Sequence, residues 1–366
     1  MKYKIALLAG DGIGPEVTSQ AIDVLAQIGK LYGHVFDVKS GLIGGVAIDQ
    51  TNSSLPPDTL KLAKASDAVL LGAVGDPKFD DPQIKERPEN GLLAIRRKLK
   101  LFANIRPVKV YDELLNGTTL KPEIIKGADF VFVRELTSGL YFGKPKKRWE
   151  TPTGRKAVDS MYYTEQEIER IVRVGFKLAQ LRRKKLTSVD KANVLESSRL
   201  WRQIAVEVAK DFPDVALEHM LVDTCAMSII RTPRDFDVLV TENTFGDILT
   251  DEASMLAGSM GMLASASLAG IPAKGERTFG LFEPIHGSAP SIAGRDIANP
   301  IATILSLAML MRYSLALEKE SQAIEQAVSD VLKAGYRTCD IIGTTTNTKQ
   351  VGTQEMGNLI VKALKG

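Results

Sequence analysis

Asp247 and Asp251 stand four residues apart in NTFGDILTD (243–251), a spacing that sets both carboxylates on one face of a helix beginning near Asp247. Acidic side chains in the first turns also suit the helix dipole. Two carboxylates converging on one point form an oxygen-ligand set for Mg²⁺ or Mn²⁺, and Asp223, at a neighbouring strand end, supplies a third oxygen. A solvated acidic helix start is the commoner origin of such a pair.

Three arginines form the next group. Arg96 lies on a helix over Gly91–Lys100, Arg106 precedes Pro107, and Arg134 ends a strand otherwise built of Phe and Val. Each alone fits a surface salt bridge. Together in one cleft they would grip a dicarboxylate, because guanidinium pairs carboxylate in a bidentate fork. Leu92 and Leu93, one turn before Arg96, could receive an apolar branch of such a substrate, although burial in the core is the usual fate of a Leu pair. Lys191 ends an apolar strand, where partial desolvation lowers an ammonium toward general-base range, and Tyr141 completes the inventory. Most lysines are simply surface charges.

The loop Gly10-Asp11-Gly12-Ile13-Gly14-Pro15-Glu16 joins a strand to a helix, where missing Cβ atoms and a helix N-terminus admit a close ligand. It is not G-x-G-x-x-G, since the third glycine comes one residue early, and no P-loop Lys-Ser/Thr follows. A tight structural turn fits it equally well.

Elements that must position these residues alternate along the chain as short apolar strands and longer amphipathic helices, the pattern of an α/β fold with parallel strands. Strands are expected at Ile5–Ala9, Ala68–Leu71, Phe102–Pro107, Asp129–Glu135, Leu186–Val189, Ala216–Val222 and Val238–Thr241. Helices are expected over Pro15–Leu31, Glu165–Leu181, from a Ser197 or Ser198 cap to Asp211, and over Pro300–Leu317 and Gln322–Ala334. The segment Leu140–Tyr163, with Tyr141, Trp149, Tyr162 and Tyr163, reads as a β-ribbon or arm whose exposed aromatics suit a subunit contact; a plain surface hairpin is the alternative. Gly258–Gly294 reads as a glycine-rich stretch, and Arg182-Arg183-Lys184-Lys185 as a solvated helix end.

Composition narrows the classes. Of the 366 residues 44% are hydrophobic and 25% charged, which suits a globular chain of one large or two fused domains rather than a disordered one. A net charge of +3 argues against a dedicated nucleic-acid binder. Ile301–Met311 is too short to span a bilayer, and Ile5–Ala9 is shorter than a secretory core, so no membrane contact is expected. Two cysteines and three scattered histidines exclude a disulfide framework and a His-rich zinc site, leaving a cytoplasmic enzyme or binding protein.

Taken together, the motifs resemble the isocitrate/isopropylmalate dehydrogenase family of metal-dependent, decarboxylating 2-hydroxyacid dehydrogenases. The resemblance runs from Lys4 to the C-terminus and rests on GDGIGPEV (10–17), ENGLLAIR (89–96), FANIRP (102–107), VRELTSGLYFG (133–143), VDKANVLE (189–196), NTFGDILTD (243–251) and EPIHGSAP (283–290). It implies a two-domain, non-Rossmann α/β fold. Residues 1–101 and 258–366 would form a discontinuous domain with most of the cofactor site. Residues 102–257 would form a central domain carrying the metal and catalytic residues and a dimerisation arm at about 140–163.

The implied reaction is oxidative decarboxylation of 3-isopropylmalate to 4-methyl-2-oxopentanoate, a step of leucine biosynthesis, with hydride transfer to NAD. By resemblance, Arg96, Arg106 and Arg134 clamp the two malate carboxylates. Asp247 and Asp251 match metal ligands, with Asp223 from the second subunit of a homodimer, so the active sites are shared. Tyr141 and the other subunit's Lys191 match the catalytic pair: the lysine takes the C2 hydroxyl proton, and the tyrosine protonates the enolate left by CO₂. Glu89, Leu92 and Leu93 match substrate-recognition positions, with Glu89 near the nicotinamide ribose and Val194 extending the apolar wall. Ile13, His286, Gly287, Ser288, Ala289, Ser291, Ile292 and Asn299 match the cofactor site.

At Ser291 the chain departs from its NAD-dependent relatives, which usually carry Asp there, and the NADP-type Lys-Tyr pair is absent because Ile292 follows. A weaker NAD preference than usual is therefore expected. Sister substrates (isocitrate, homoisocitrate, tartrate or a longer 2-alkylmalate) are the alternative. Leu92 and Leu93 disfavour those with a third carboxylate, whose desolvation costs several kcal/mol. A non-catalytic binding protein would be expected to lose members of the Lys191, Tyr141, Asp223, Asp247 and Asp251 set, and all are present.

Overall fold

A computed structural model describes residues 1–273, 275–343 and 348–365. Its frame is one mixed sheet of ten strands. In chain order, the first strands are β1 (Lys2–Gly10), β2 (Val35–Ser40), β3 (Ala68–Ala73), β4 (Ala103–Lys109) and β5 (Asp129–Glu135). A separate two-stranded hairpin follows as β6 (Lys146–Thr151) and β7 (Gly154–Asp159). The sheet resumes with β8 (Lys185–Asp190), β9 (Ala216–Leu221), β10 (Val238–Thr241), β11 (Ala264–Leu268) and β12 (Gly280–Pro284). The spatial order is β2-β1-β3-β12-β11-β4-β5-β10-β8-β9. Strands from residues 1–101 and 258–366 thus occupy one half, and strands from 102–257 the other.

The two halves meet where β11 pairs antiparallel with β4, and β4 antiparallel with β5; the flanking β1–β3 and β5–β10 pairs are parallel. Parallel strands covered on both faces need continuous apolar sequence. The run Ala68–Ala73 is accordingly buried throughout.

Among the described residues twelve α-helices surround the sheet. The first six are α1 (Gly14–Tyr32), α2 (Gly45–Thr51), α3 (Pro57–Lys64), α4 (Pro88–Lys98), the short α5 (Pro122–Ile125) and α6 (Glu165–Gln180). The remainder are α7 (Glu196–Ala209), α8 (Val222–Arg231), α9 (Asn243–Ser254), α10 (Ile301–Tyr313), α11 (Glu318–Lys333) and α12 (Thr353–Ala363). α1 starts with Pro15 in its first turn and stops at Gly33 in the left-handed region, burying Val17, Ala21, Val24, Leu25 and Ile28 along one face. α10 is buried almost all round, which fits its position between β11, β12 and α11.

Several expectations need correction. The glycine-rich stretch contains β11 and β12, two central strands, whose small residues Ser265, Ala266 and Ser267 fit a tight interior. No serine caps α7: Leu195 holds that position, and the Ser197 hydroxyl turns instead to Met161 Sδ at 3.1 Å. α9 begins at Asn243 rather than near Asp247, because the Glu242 side chain accepts from the Phe245 N–H and starts the helix one turn early. Asp223 lies in the first turn of α8, not at a strand end. α11 starts at Glu318, four residues before the expected Gln322. The basic quartet is not simply solvated: Arg182 bridges Asp129 and Asp237 at 2.7 and 2.8 Å, and Lys185 pairs with Glu218. Of the arm's aromatics, Trp149 and Tyr162 are exposed, but Tyr163 is buried edge-on against Trp201.

Candidate active site

β4, β5, α4 and α9 bring the three arginines together, all buried. Arg106 projects from β4 and Arg134 from the end of β5, two strands paired in register. Arg96 comes from the last turn of α4 and pairs with the buried Glu283 of β12. Burial lowers the Arg106 guanidinium to about 9, with the neighbouring positive Arg134 next in effect; it remains charged at neutral pH.

Opposite them, α9 presents Asp247 and Asp251 one turn apart, as the spacing predicts. Asp247 forms an ion pair with Arg134, and its Oδ1 lies 3.8 Å from Arg106. Asp251 Oδ1 is also 3.8 Å from Arg106. Burial opposes ionisation of both acids. For Asp247 the attraction of Arg134 and Arg106 prevails and holds it below the usual carboxylate range, whereas Asp251 is left raised.

Tyr141 donates to Asp247 Oδ2 at 2.7 Å. Burial first, and that hydrogen bond next, push its phenol up to about 12, so it carries its proton at neutral pH. The loop leading to it is tied by Glu135, fully buried, which accepts from the Thr137 and Ser138 N–H groups. Gly139 is required there: it sits at φ +75°, and a Cβ would come 2.4 Å from the Tyr163 hydroxyl oxygen.

Lys191, at the end of β8, pairs with Asp223 of α8 at 2.8 Å, and that hydrogen bond holds the Asp223 carboxyl below the ordinary range. Among the described residues neither makes a hydrogen bond or ion pair with Tyr141, Asp247 or Asp251. Among the described residues no three His, Cys, Asp or Glu side chains of one chain form a metal-holding group. One chain therefore offers two carboxylates at the arginines and a third beside Lys191. The donors are all hard oxygens, which suits Mg²⁺ or Mn²⁺.

On α4, Glu89, Leu92, Leu93 and Arg96 follow i, i+3, i+4, i+7 spacing and share a face; Glu89 is exposed and both leucines are half-buried. Gly75 lies close to both α4 and the loop at 286–292. A Cβ on Gly75 would lie 3.2 Å from Ser288 Oγ and 3.6 Å from Glu89 Oε1. The Ile13 N–H donates to the Ser288 carbonyl at 2.8 Å, and Ile13 packs with Ala289, Ile292 and Ala298. Val194 and Gly287 are exposed.

His286 Nδ1 meets the Gly287 carbonyl at 2.9 Å, while its buried Nε2 has no partner. An orphaned buried ring nitrogen beside a glycine-lined loop fits a cofactor's polar edge. Asn299 is buried with its amide held by Asp340 at 3.1 Å. Ser291 and Arg295 are exposed, with Arg295 Nη1 3.5 Å from the Ser291 carbonyl.

Four residues that sequence reasoning did not single out shape the site. Asn243 accepts from Arg134 Nε and Nη2 at 3.1 and 2.8 Å, and Asp11 accepts from the N–H groups of Gly45, Val46 and Gly75. Asn104 and Thr250 hold Arg106. Asn243 and Asp11 stand inside quoted motifs, which was the available signal; Asn104 does so too, two residues before Arg106.

The family profile described as isocitrate/isopropylmalate dehydrogenase matches residues 4–360. The chain is 65% identical over 367 aligned residues to a 3-isopropylmalate dehydrogenase of Dehalococcoides mccartyi, covering all of both chains. It is 54% identical to the enzyme of that name from Aquifex aeolicus, covering all of this chain and 98% of that one. Among solved structures, an isocitrate dehydrogenase from Methylococcus capsulatus superposes with TM-score 0.84 at 32% identity, covering 99% of each chain. A β-decarboxylating dehydrogenase from Thermococcus kodakarensis gives TM-score 0.77 at 33% identity, covering 99% of this chain and 96% of that one.

Proposed function

Because the chain belongs to the isocitrate/isopropylmalate dehydrogenase family, we propose that it converts 3-isopropylmalate to 4-methyl-2-oxopentanoate and CO₂. The observation that carries this reading is the convergence of three buried arginines on the Asp247–Asp251 helix, with Leu92 and Leu93 one turn away from Arg96. Arginines grip the two carboxylates, and the leucine pair receives the isopropyl group. A third carboxylate in place of that group would be desolvated against apolar side chains, which disfavours isocitrate and its relatives.

Asp247 and Asp251 of one subunit, with Asp223 of a second, would hold Mg²⁺ or Mn²⁺. When bound, the metal supplies a Lewis acid for the substrate's C2 oxygen. NAD, when bound against Ile13, Glu89, His286, Gly287, Ser288, Ala289, Ser291, Ile292 and Asn299, supplies the hydride acceptor. Lys191 of the second subunit takes the C2 hydroxyl proton, and the phenol of Tyr141, protonated at neutral pH, returns a proton to carbon after CO₂ leaves.

A homodimer supports this division of labour. Met227 and Ile230 on α8, with Ile248 on the adjacent α9 and Met255 just past its end, are exposed large apolar side chains flanking the acidic residues. Covering them with a second copy removes apolar surface from water and brings Lys191, Val194 and Asp223 toward the other chain's arginines. The β6–β7 hairpin, with Trp149 exposed, adds an arm to the same contact. Residues 1–101 with 258–366, and residues 102–257, form the two domains between which substrate and cofactor lie. No helix among the described residues is long and apolar enough to cross a membrane, and the near-neutral charge gives no basis for nucleic-acid binding; we place the enzyme in the cytoplasm.

A series of 2-alkylmalates tests the substrate assignment. Leu92→Ala should raise relative turnover of longer side chains, with roughly 1–3 kcal/mol of discrimination per methylene to lose. Unchanged relative rates across the series would refute the pocket.

A further inference from the structure

The three arginines are not held alike. Arg96 is paired directly with the Glu283 carboxylate and Arg134 with the Asp247 carboxylate. Arg106 is held by neutral groups: its Nε donates to Asn104 Oδ1 at 2.6 Å, and its Nη1 donates to Thr250 Oγ1. Its nearest carboxylate oxygens, on Asp247 and Asp251, stand off at 3.8 Å.

Both neutral holders are themselves fixed. Asn104 is completely buried on β4, in register with Arg134 on β5 and Ser267 on β11. Its Nδ2 donates to Ser267 Oγ at 3.1 Å, which orients the amide with its oxygen toward Arg106. Thr250 is also fully buried, between the two aspartates on α9, and its hydroxyl donates to the Asp247 carbonyl at 3.0 Å, leaving lone pairs for the guanidinium.

Resting on the function proposed above, we infer that Asn104 and Thr250 are positioning residues that lock Arg106 in place without neutralising it, reserving its charge for a substrate carboxylate. A guanidinium fixed by neutral dipoles in a buried site needs no reorganisation when the anion arrives. One already paired with a carboxylate must share its charge with the incoming anion. Arg106 alone of the three lacks a direct hydrogen bond to a carboxylate, and its neutral cage sets substrate affinity.

The test separates charge from architecture. Asn104→Asp retains an acceptor for Arg106 Nε and another for the Ser267 hydroxyl, but adds a negative charge. KM for 3-isopropylmalate and the calorimetric Kd for the same dicarboxylate with Mg²⁺ are each expected to rise about tenfold or more. KM for NAD and the thermal midpoint should stay near wild type. Thr250→Val, which removes the hydroxyl at nearly constant volume, should raise substrate KM, and Thr250→Ser should restore it.

Wild-type KM and Kd in Asn104→Asp would overturn the inference. Should that variant not fold, equal KM values for Thr250→Val and Thr250→Ser would overturn it instead. Weakened dicarboxylate binding in a protein whose wild type does not turn over 3-isopropylmalate would sink the proposed reaction while leaving the inference standing.

Discussion

The Tyr141 hydroxyl donates to Asp247 Oδ2 at 2.7 Å while Arg134 pairs with Oδ1 of the same carboxylate. One carboxylate therefore couples the residues proposed as proton donor and anion clamp to the helix proposed to hold the metal. Tyr141→Phe keeps the ring over Arg134 but removes the proton. kcat should fall about 10²-fold or more with substrate KM little changed, read by steady-state kinetics. A loss in KM alone would assign Tyr141 to binding.

Lys191 and Asp223 pair with each other at 2.8 Å, apart from that centre. If each active site takes its lysine from the other subunit, Lys191→Ala and Tyr141→Phe homodimers should each be nearly inactive. Their heterodimer holds one intact site. Unfolding and refolding an equal mixture should then restore roughly one site in four, given random pairing of two subunit types in a two-fold dimer. No recovery in the mixture would contradict shared sites.

Ser291 stands where relatives that use NAD are expected to carry Asp in the proposed cofactor site, and Arg295 is its neighbour. The ratio of kcat/KM for NAD over NADP should rise in Ser291→Asp, because the new charge repels a 2′-phosphate. Wild type already at the variant's ratio would show that other residues set the preference.

Burial holds the His286 imidazole below the ordinary histidine value, so it is neutral at pH 7. The folded loop disfavours the charged ring. As pH falls through the unfolded value of about 6.5 and below, protonation should therefore favour opening of the loop and weaken NAD binding. An NMR titration of the ring should give a midpoint below 6.5, and a midpoint above it would contradict the environment described here.

Much of this arrangement was legible in the sequence, for identifiable reasons. β3 and β10 are apolar runs, and β1 and β5 carry apolar centres, of the kind that a doubly covered strand requires. β11 and β12 carried no such signal: Ala-Ser-Ala-Ser-Leu is too small and polar to read as core, and it is buried because neighbouring strands close over it. Ser197 and Ser198 invited a cap, yet the chain enters α7 through Leu195. The charged site residues stood out by type and motif. Asn104 and Thr250, though inside those motifs, did not stand out by type: Asn104 meets Arg106 two residues along β4, and Thr250 meets it only through the packing of α9 against β4.

The most direct test is the absorbance of reduced nicotinamide in a cuvette holding purified protein, 3-isopropylmalate, Mg²⁺ and NAD. Steady reduction that stops with EDTA and returns with excess Mg²⁺ or Mn²⁺ is the predicted result. Silence with 3-isopropylmalate, accompanied by turnover of isocitrate or tartrate, would contradict the reading of Leu92 and Leu93 as an apolar substrate pocket.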